Sequence, residues 1–154
     1  MRKLVLGLAA VACLVSVAAA QGPARTPAEL IRARQAGYKQ MAPAFKALFE
    51  QTRAGEPSLE TIRTASATIS RIAPQVGGWF PHGTGPEVGV PTRAKVEIWA
   101  SPQVFRARAV DLVVAARAVE AAAQRGDIAA VRAAFPGLRQ ACAACHDLFR
   151  GPEL

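Results

Sequence analysis

Cys142, Cys145 and His146 stand within five residues of one another near the C-terminus of this 154-residue chain. Residues three and four apart share a helix face, so the two thiols and the imidazole crowd one side of a single turn. No other stretch constrains the fold as much, because those groups at that spacing need a helix and something for it to hold. C-x-x-C-H is the attachment signature of a c-type haem. Two such thiols can add across the vinyl groups on one porphyrin edge, and the adjoining imidazole then projects toward the iron as proximal ligand.

Other uses of the motif fit less well. A redox disulfide would want the pair at a helix N-terminus in a βαβ setting, and no convincing strand pattern is present. A structural zinc site needs four ligands, and the only other histidine is His82.

The beginning of the chain reads as an export signal. Arg2 and Lys3 form a positive start, Leu4 to Val17 an apolar run too short for a membrane span, and Ala18-Ala19-Ala20 a small-residue cleavage site. Residues 1–20 are therefore expected to be removed, leaving 21–154 as one domain without membrane insertion. Cys13 leaves with the signal; a lipoprotein cysteine would want a bulkier aliphatic than Ala10 three residues before it. Export places the protein in the periplasm, an oxidising compartment where haem attachment takes both remaining cysteines out of disulfide chemistry.

Nineteen Lys and Arg oppose eleven Asp and Glu, for a net +8, and without Arg2 and Lys3 the balance is seventeen to eleven. The basic residues are scattered at helical surface spacing with no run of like charge, which reads as a solvated surface. An exported protein does not meet nucleic acid, so that partner class is set aside.

Four helices are expected. The first opens at Thr26-Pro27-Ala28-Glu29, a capping box with proline at the first position. It carries Leu30, Ile31, Arg34, Tyr38, Met41, Phe45, Leu48, Phe49 and Thr52 at steps of three and four. The second begins at Ser58, shows Ile62, Ala65, Ile69 and Ile72, and stops at Pro74. A long Gly- and Pro-rich connection, residues 75–100, follows, with a short helical turn over Lys95 to Trp99. The third starts at Ser101-Pro102 with an apolar face of Val104, Phe105, Val110 or Asp111, Leu112, Ala115, Ala118, Val119 and Ala122, and ends at Gly126. Asp127 caps the fourth, which runs through the haem motif to Phe149, with Pro136 expected to kink or interrupt it and Pro43 to bend the first. The class is an all-α, antiparallel four-helix bundle with haem attached near the C-terminus of its last helix.

These residues resemble the cytochrome c′ family, exported monohaem bundle proteins. The resemblance is carried by Arg34-Gln35-Ala36-Gly37-Tyr38-Lys39-Gln40-Met41, by Trp79-Phe80-Pro81-x-Gly83-Thr84 with Glu97-Ile98-Trp99, and most specifically by Cys142-Ala-Ala-Cys145-His146-Asp-Leu-Phe-Arg150. His82 and Pro136 depart from the pattern. The resemblance implies one haem c bound through Cys142 and Cys145 with His146 on the iron, a basic Arg150 beside the imidazole, and a homodimer through the first two helices. It also implies Arg34 against a haem propionate, where its planar fork suits a carboxylate; by position alone Arg34 could equally be a solvated helix residue.

Function then turns on the sixth coordination position. The candidate donors are His82, Met41 and Lys39. In six-coordinate relatives of this fold the axial methionine stands four residues after the helix arginine, which here is Tyr38. A neutral phenol is a poor ligand beside histidine, so Tyr38 is read as a non-ligating lid over an open site, with plain core packing as its other role. An open site makes the protein a five-coordinate, high-spin binder of nitric oxide or carbon monoxide. Ligation by Met41 would make it a low-spin electron carrier serving periplasmic redox partners. A haem enzyme would need a distal acid–base pair, which the sequence lacks, so no enzymatic activity is expected.

Overall fold

The computed structural model describes residues 25–153; the expected signal peptide, its cleavage site and Cys13 lie outside them. Helices α1 (Pro27–Arg53), α2 (Leu59–Ile72), α3 (Glu97–Ala100), α4 (Pro102–Gln124) and α5 (Ile128–Phe149) follow in order, α3 being a single turn. Among the described residues there is no strand, only an isolated antiparallel bridge between Ala94 and Arg150.

Local chemistry sets most helix ends. The Thr26 hydroxyl accepts from the Glu29 N–H at 3.3 Å, while the Glu29 carboxylate accepts from the Thr26 N–H at 2.7 Å. Ser58 accepts from the Thr61 N–H and Asp127 from the Ala130 N–H, satisfying donors that the first turn leaves free. Gly126, at φ +73°, turns the chain between α4 and α5 in the left-handed region that other residues enter at a cost. Ser101 differs from expectation: its side chain makes no capping hydrogen bond, and its φ of −130° and ψ of 60° are shared with the end of α3.

Neither internal proline breaks its helix. α1 runs through Pro43 and α5 through Pro136, so the interruption expected at Pro136 does not occur. Both rings, together with Arg132 and Lys39 four residues earlier, lie on exposed surface, where water can take the carbonyl that each proline leaves without a partner. Pro74 does end α2, whose last residue is Ile72, and the chain then continues as a 3₁₀ helix from Ala73 to Gly78.

α1 packs on α2, α2 on α4 and α4 on α5, while α5 returns to α1 through Phe135, 5.3 Å from Phe45 and 6.3 Å from Phe49. The core holds Leu48, Ile62, Ile69, Val119, Val131 and Leu138, each contributing roughly 1.5–3 kcal/mol by leaving water. On α4 the buried stripe is Phe105, Ala109, Leu112, Ala116, Val119, Ala122 and Ala123, whereas Val104 and Val110 are exposed. From Phe105 to Val119 the steps alternate four and three, the seam of a helix packed between two others. The expected face was drawn too broadly because valines on its flanks look like core.

Candidate functional site

Between the Cys142 end of α5 and the facing stretch of α1 lies a cavity of about 880 Å³, within the range of sites that enclose a whole ligand. α1 contributes Arg34, Tyr38, Met41 and Phe45 to its wall; α5 contributes Cys142, Cys145, His146 and Arg150. Phe80, residues 91–94, Ile98 and Phe105 close the remaining sides. Arg34, Tyr38, Cys142, Cys145, His146 and Arg150 therefore all line one cavity.

The donor set suits a covalently held haem. Cys142 and Cys145 are half-buried and not joined in a disulfide. Burial pushes the Cys142 thiol up to about 11, with Cys145 adding to the effect. Burial also raises Cys145, with Arg108 acting against it. Loss of water, followed by the nearby Arg150 and Arg93 cations, pulls the His146 imidazole down against the opposing pull of Asp147. The neutral ring is the form that ligates a metal.

Arg34 is the buried cation of the cavity wall. It is 2 % exposed, so its solvated reading is overturned. Its Nη1 donates to Thr84 Oγ1 and its Nη2 to Thr92 Oγ1, both at 3.1 Å. The guanidinium lies over the Phe80 ring, 4.5 Å from the centroid, with Trp99 at 6.0 Å. Thr84 Oγ1 in turn donates to the Pro81 carbonyl at 2.8 Å, and Trp99 Nε1 donates to the carbonyls of Phe80 and Pro81. Among the described residues no carboxylate forms an ion pair with Arg34. Its direct contacts are all neutral and Glu87 acts on it only from beyond ion-pair distance, so a buried cation on this cavity wall favours a ligand that brings a countercharge. A haem propionate would bring one.

The connection between α2 and α4 also fastens the end of α5. The Lys95 N–H donates to the Phe149 carbonyl at 3.0 Å and the Gly151 N–H to the Arg93 carbonyl at 2.7 Å. Arg93 Nε donates to the Gly151 carbonyl at 2.9 Å. Arg150, exposed, is thereby pinned one turn beyond His146, whose carbonyl accepts its N–H at 3.0 Å.

The possible sixth donors separate by position. His82 is exposed and is not on the cavity wall, while Lys39 and Met41 both reach it. Tyr38 is the chain's single tyrosine and faces the cavity. Burial, with lesser contributions from both cysteines, pushes its hydroxyl well above the usual phenol range although Arg34 opposes this. Sequence reasoning missed Thr84, Thr92 and Arg93 as working residues, and it quoted Phe80 and Trp99 without a role. Each acts on a group fifty or more residues away or through a loop contact, which helical periodicity cannot register.

The family model for cytochrome c′ matches residues 29–150. A cytochrome c′ of Allochromatium vinosum is 34 % identical over 130 residues, 81 % of this chain and 82 % of its own. The crystal structure of cytochrome c′ from Thermochromatium tepidum has a TM-score of 0.78 at 36 % identity, covering 83 % of this chain and 98 % of that one. A further cytochrome c′ structure, whose dimer dissociation is ligand-controlled, has a TM-score of 0.79 at 30 % identity, covering 84 % of this chain and 100 % of that one.

Proposed function

The chain belongs to the cytochrome c′ family, carrying one covalently attached c-type haem, and from that premise we propose that it is a periplasmic gas-binding and electron-carrying protein. In this reading the iron is five-coordinate and high-spin, and it is open to nitric oxide and carbon monoxide. The haem supplies an iron that changes oxidation state by one electron and takes a small ligand on its free side.

The protein's residues do the remainder. Cys142 and Cys145 hold the group, His146 gives the one axial donor, and Arg150 adds a cation beside that imidazole. Arg34 meets a propionate with a preset fork. Tyr38 is the observation that carries the reading. By the family resemblance it takes the position of a ligating methionine in six-coordinate relatives, yet it offers a half-buried phenol held in its protonated form. Such a group is a weak donor beside histidine, and its ring excludes water and anions while yielding to a diatomic.

Redox partners, served through the haem edge, belong to the same proposal. So does a homodimer through α1 and α2. The dimer is supported by the relative with ligand-controlled dissociation and by a groove of about 410 Å³ whose lining includes Ala44, Ala47 and Ala65. Export is supported by the leader in the sequence, and among the described residues no helix is long and apolar enough to cross a membrane.

Optical and EPR spectra of the purified holoprotein, with and without carbon monoxide, test the reading. A high-spin ferric signal and carbon monoxide uptake by the reduced protein are expected. A low-spin ferrous spectrum with sharp α and β bands and no uptake defeats it, and makes Met41, the one soft donor on that wall, the sixth ligand.

A further inference from the structure

Trp79 stands behind Tyr38. Tyr38 lines the cavity and Trp79 does not, although the two rings meet edge to face, with centroids 5.0 Å apart and planes at 86°. The seat of the indole is the bare backbone of Gly37, one residue before Tyr38 on α1. A Cβ at position 37 would overlap Trp79 Cη2 and fall 2.6 Å from Cζ2, closer than real Cβ atoms come to any neighbour. A mid-helix glycine costs about 1 kcal/mol against alanine, so the close approach overrides what α1 alone would prefer.

The backbone that carries the indole is held as well. Trp79 closes the 3₁₀ turn Ala73–Gly78, its N–H donating to the carbonyl of buried Val76 at 3.2 Å. The next residue, Phe80, packs 4.9 Å from Phe105 and lies under Arg34. The Trp79 backbone therefore cannot shift outward without disturbing the loop that covers the cavity.

A ring that leaves the iron must move into space, and protein interiors keep little of it spare. We propose that Trp79, seated on Gly37, is the backstop of the distal side: it limits how far Tyr38 retreats and so sets how fast a diatomic ligand reaches the iron. Trp79 is a positioning residue that works through Tyr38. The inference rests on the reading of Tyr38 as a lid. It adds the residue pair that tunes the lid, Gly37 and Trp79, neither of which touches the cavity.

The test is carbon monoxide association to the reduced holoprotein after flash photolysis, with far-UV circular dichroism to confirm folding. Trp79→Leu is expected to raise the association rate roughly three- to tenfold, the equivalent of one aromatic edge-to-face pair. Trp79→Phe should fall between. The same Trp79→Leu change should have no effect once Tyr38→Ala is present. Gly37→Ala should reproduce the acceleration with the indole intact, by displacing it, and should add nothing in the Trp79→Leu background. It keeps the proposal testable if Trp79→Leu folds poorly.

Acceleration by Tyr38→Ala with Trp79→Leu and Gly37→Ala both within about twofold of the parent overturns the backstop and leaves the lid. Equal acceleration by Trp79→Leu with and without Tyr38→Ala overturns the backstop as well, because the indole then acts by another path. Rates unchanged by Tyr38→Ala overturn the lid and the backstop together.

Discussion

Replacing Arg34 by methionine asks whether the buried guanidinium has an anionic partner, and the two answers differ in sign. Arg34 is 2 % exposed, donates to Thr84 and Thr92 at 3.1 Å, and stacks on Phe80. With no anion beside it, Arg34→Met removes two hydrogen bonds and a cation–π contact, together about 2–4 kcal/mol, but also removes the several-kcal/mol cost of a buried unpaired charge. Those terms nearly cancel, and both threonine hydroxyls keep other chances to bond: Thr84 already donates to Pro81. With a haem carboxylate beside it, the substitution strands a buried anion and costs about 3–5 kcal/mol.

The larger figure is expected at pH 7, measured as the shift in urea midpoint of the holoprotein followed by circular dichroism, at unchanged m-value. The sign of its pH dependence follows. A carboxylate paired with arginine titrates below its ordinary value near 4, so its contribution is present above that value and is lost as pH falls through the lowered folded-state value. In the variant the stranded carboxylate is eager to take a proton. The gap between parent and variant should therefore shrink on going from pH 7 toward pH 4. A difference within about 1 kcal/mol of zero at pH 7, or a gap that does not change with pH, refutes the pairing.

Three further outcomes are expected. Leu138→Ala, at a fully buried position of α5, should lower unfolding free energy by about 2–5 kcal/mol in the same assay. Gly126→Ala meets only ordinary contact with Leu59 but must hold φ near +73°; the loss should be about 1–2 kcal/mol, and no loss would mean the turn between α4 and α5 relaxes freely. Cys142→Ser should leave a haem held by a single thioether, still retained with the polypeptide by denaturing mass spectrometry, whereas the double change Cys142→Ser with Cys145→Ser should release it.

The depth to which the sequence could be read follows the range of the forces. Capping at Thr26, Ser58 and Asp127, the turn at Gly126 and the three-and-four spacing of Ile62, Ala65, Ile69 and Ile72 each act within about one turn of helix, and all stand in the structure as expected. Errors came where a local rule met its surroundings. Val104 and Val110 satisfy the apolar pattern but point to water, because only the neighbours of α4 decide which width of its surface is covered. Pro43 and Pro136 satisfy the rule for breaking a helix, yet each sits where water can replace the lost bond.

By itself the sequence determined that there are four long helices, where most of them begin and end, and that two thiols and an imidazole share one turn of the last. Tertiary structure alone decided what surrounds that turn: a buried Arg34 hydrogen-bonded to two threonines, a loop segment pinned to Gly151, and an indole resting on Gly37 behind the chain's one tyrosine. The physical reason is distance along the chain. Helix signals are written in residues three and four apart, whereas Arg34 finds Thr84 fifty residues away, and no local periodicity encodes which loop will close over a cavity.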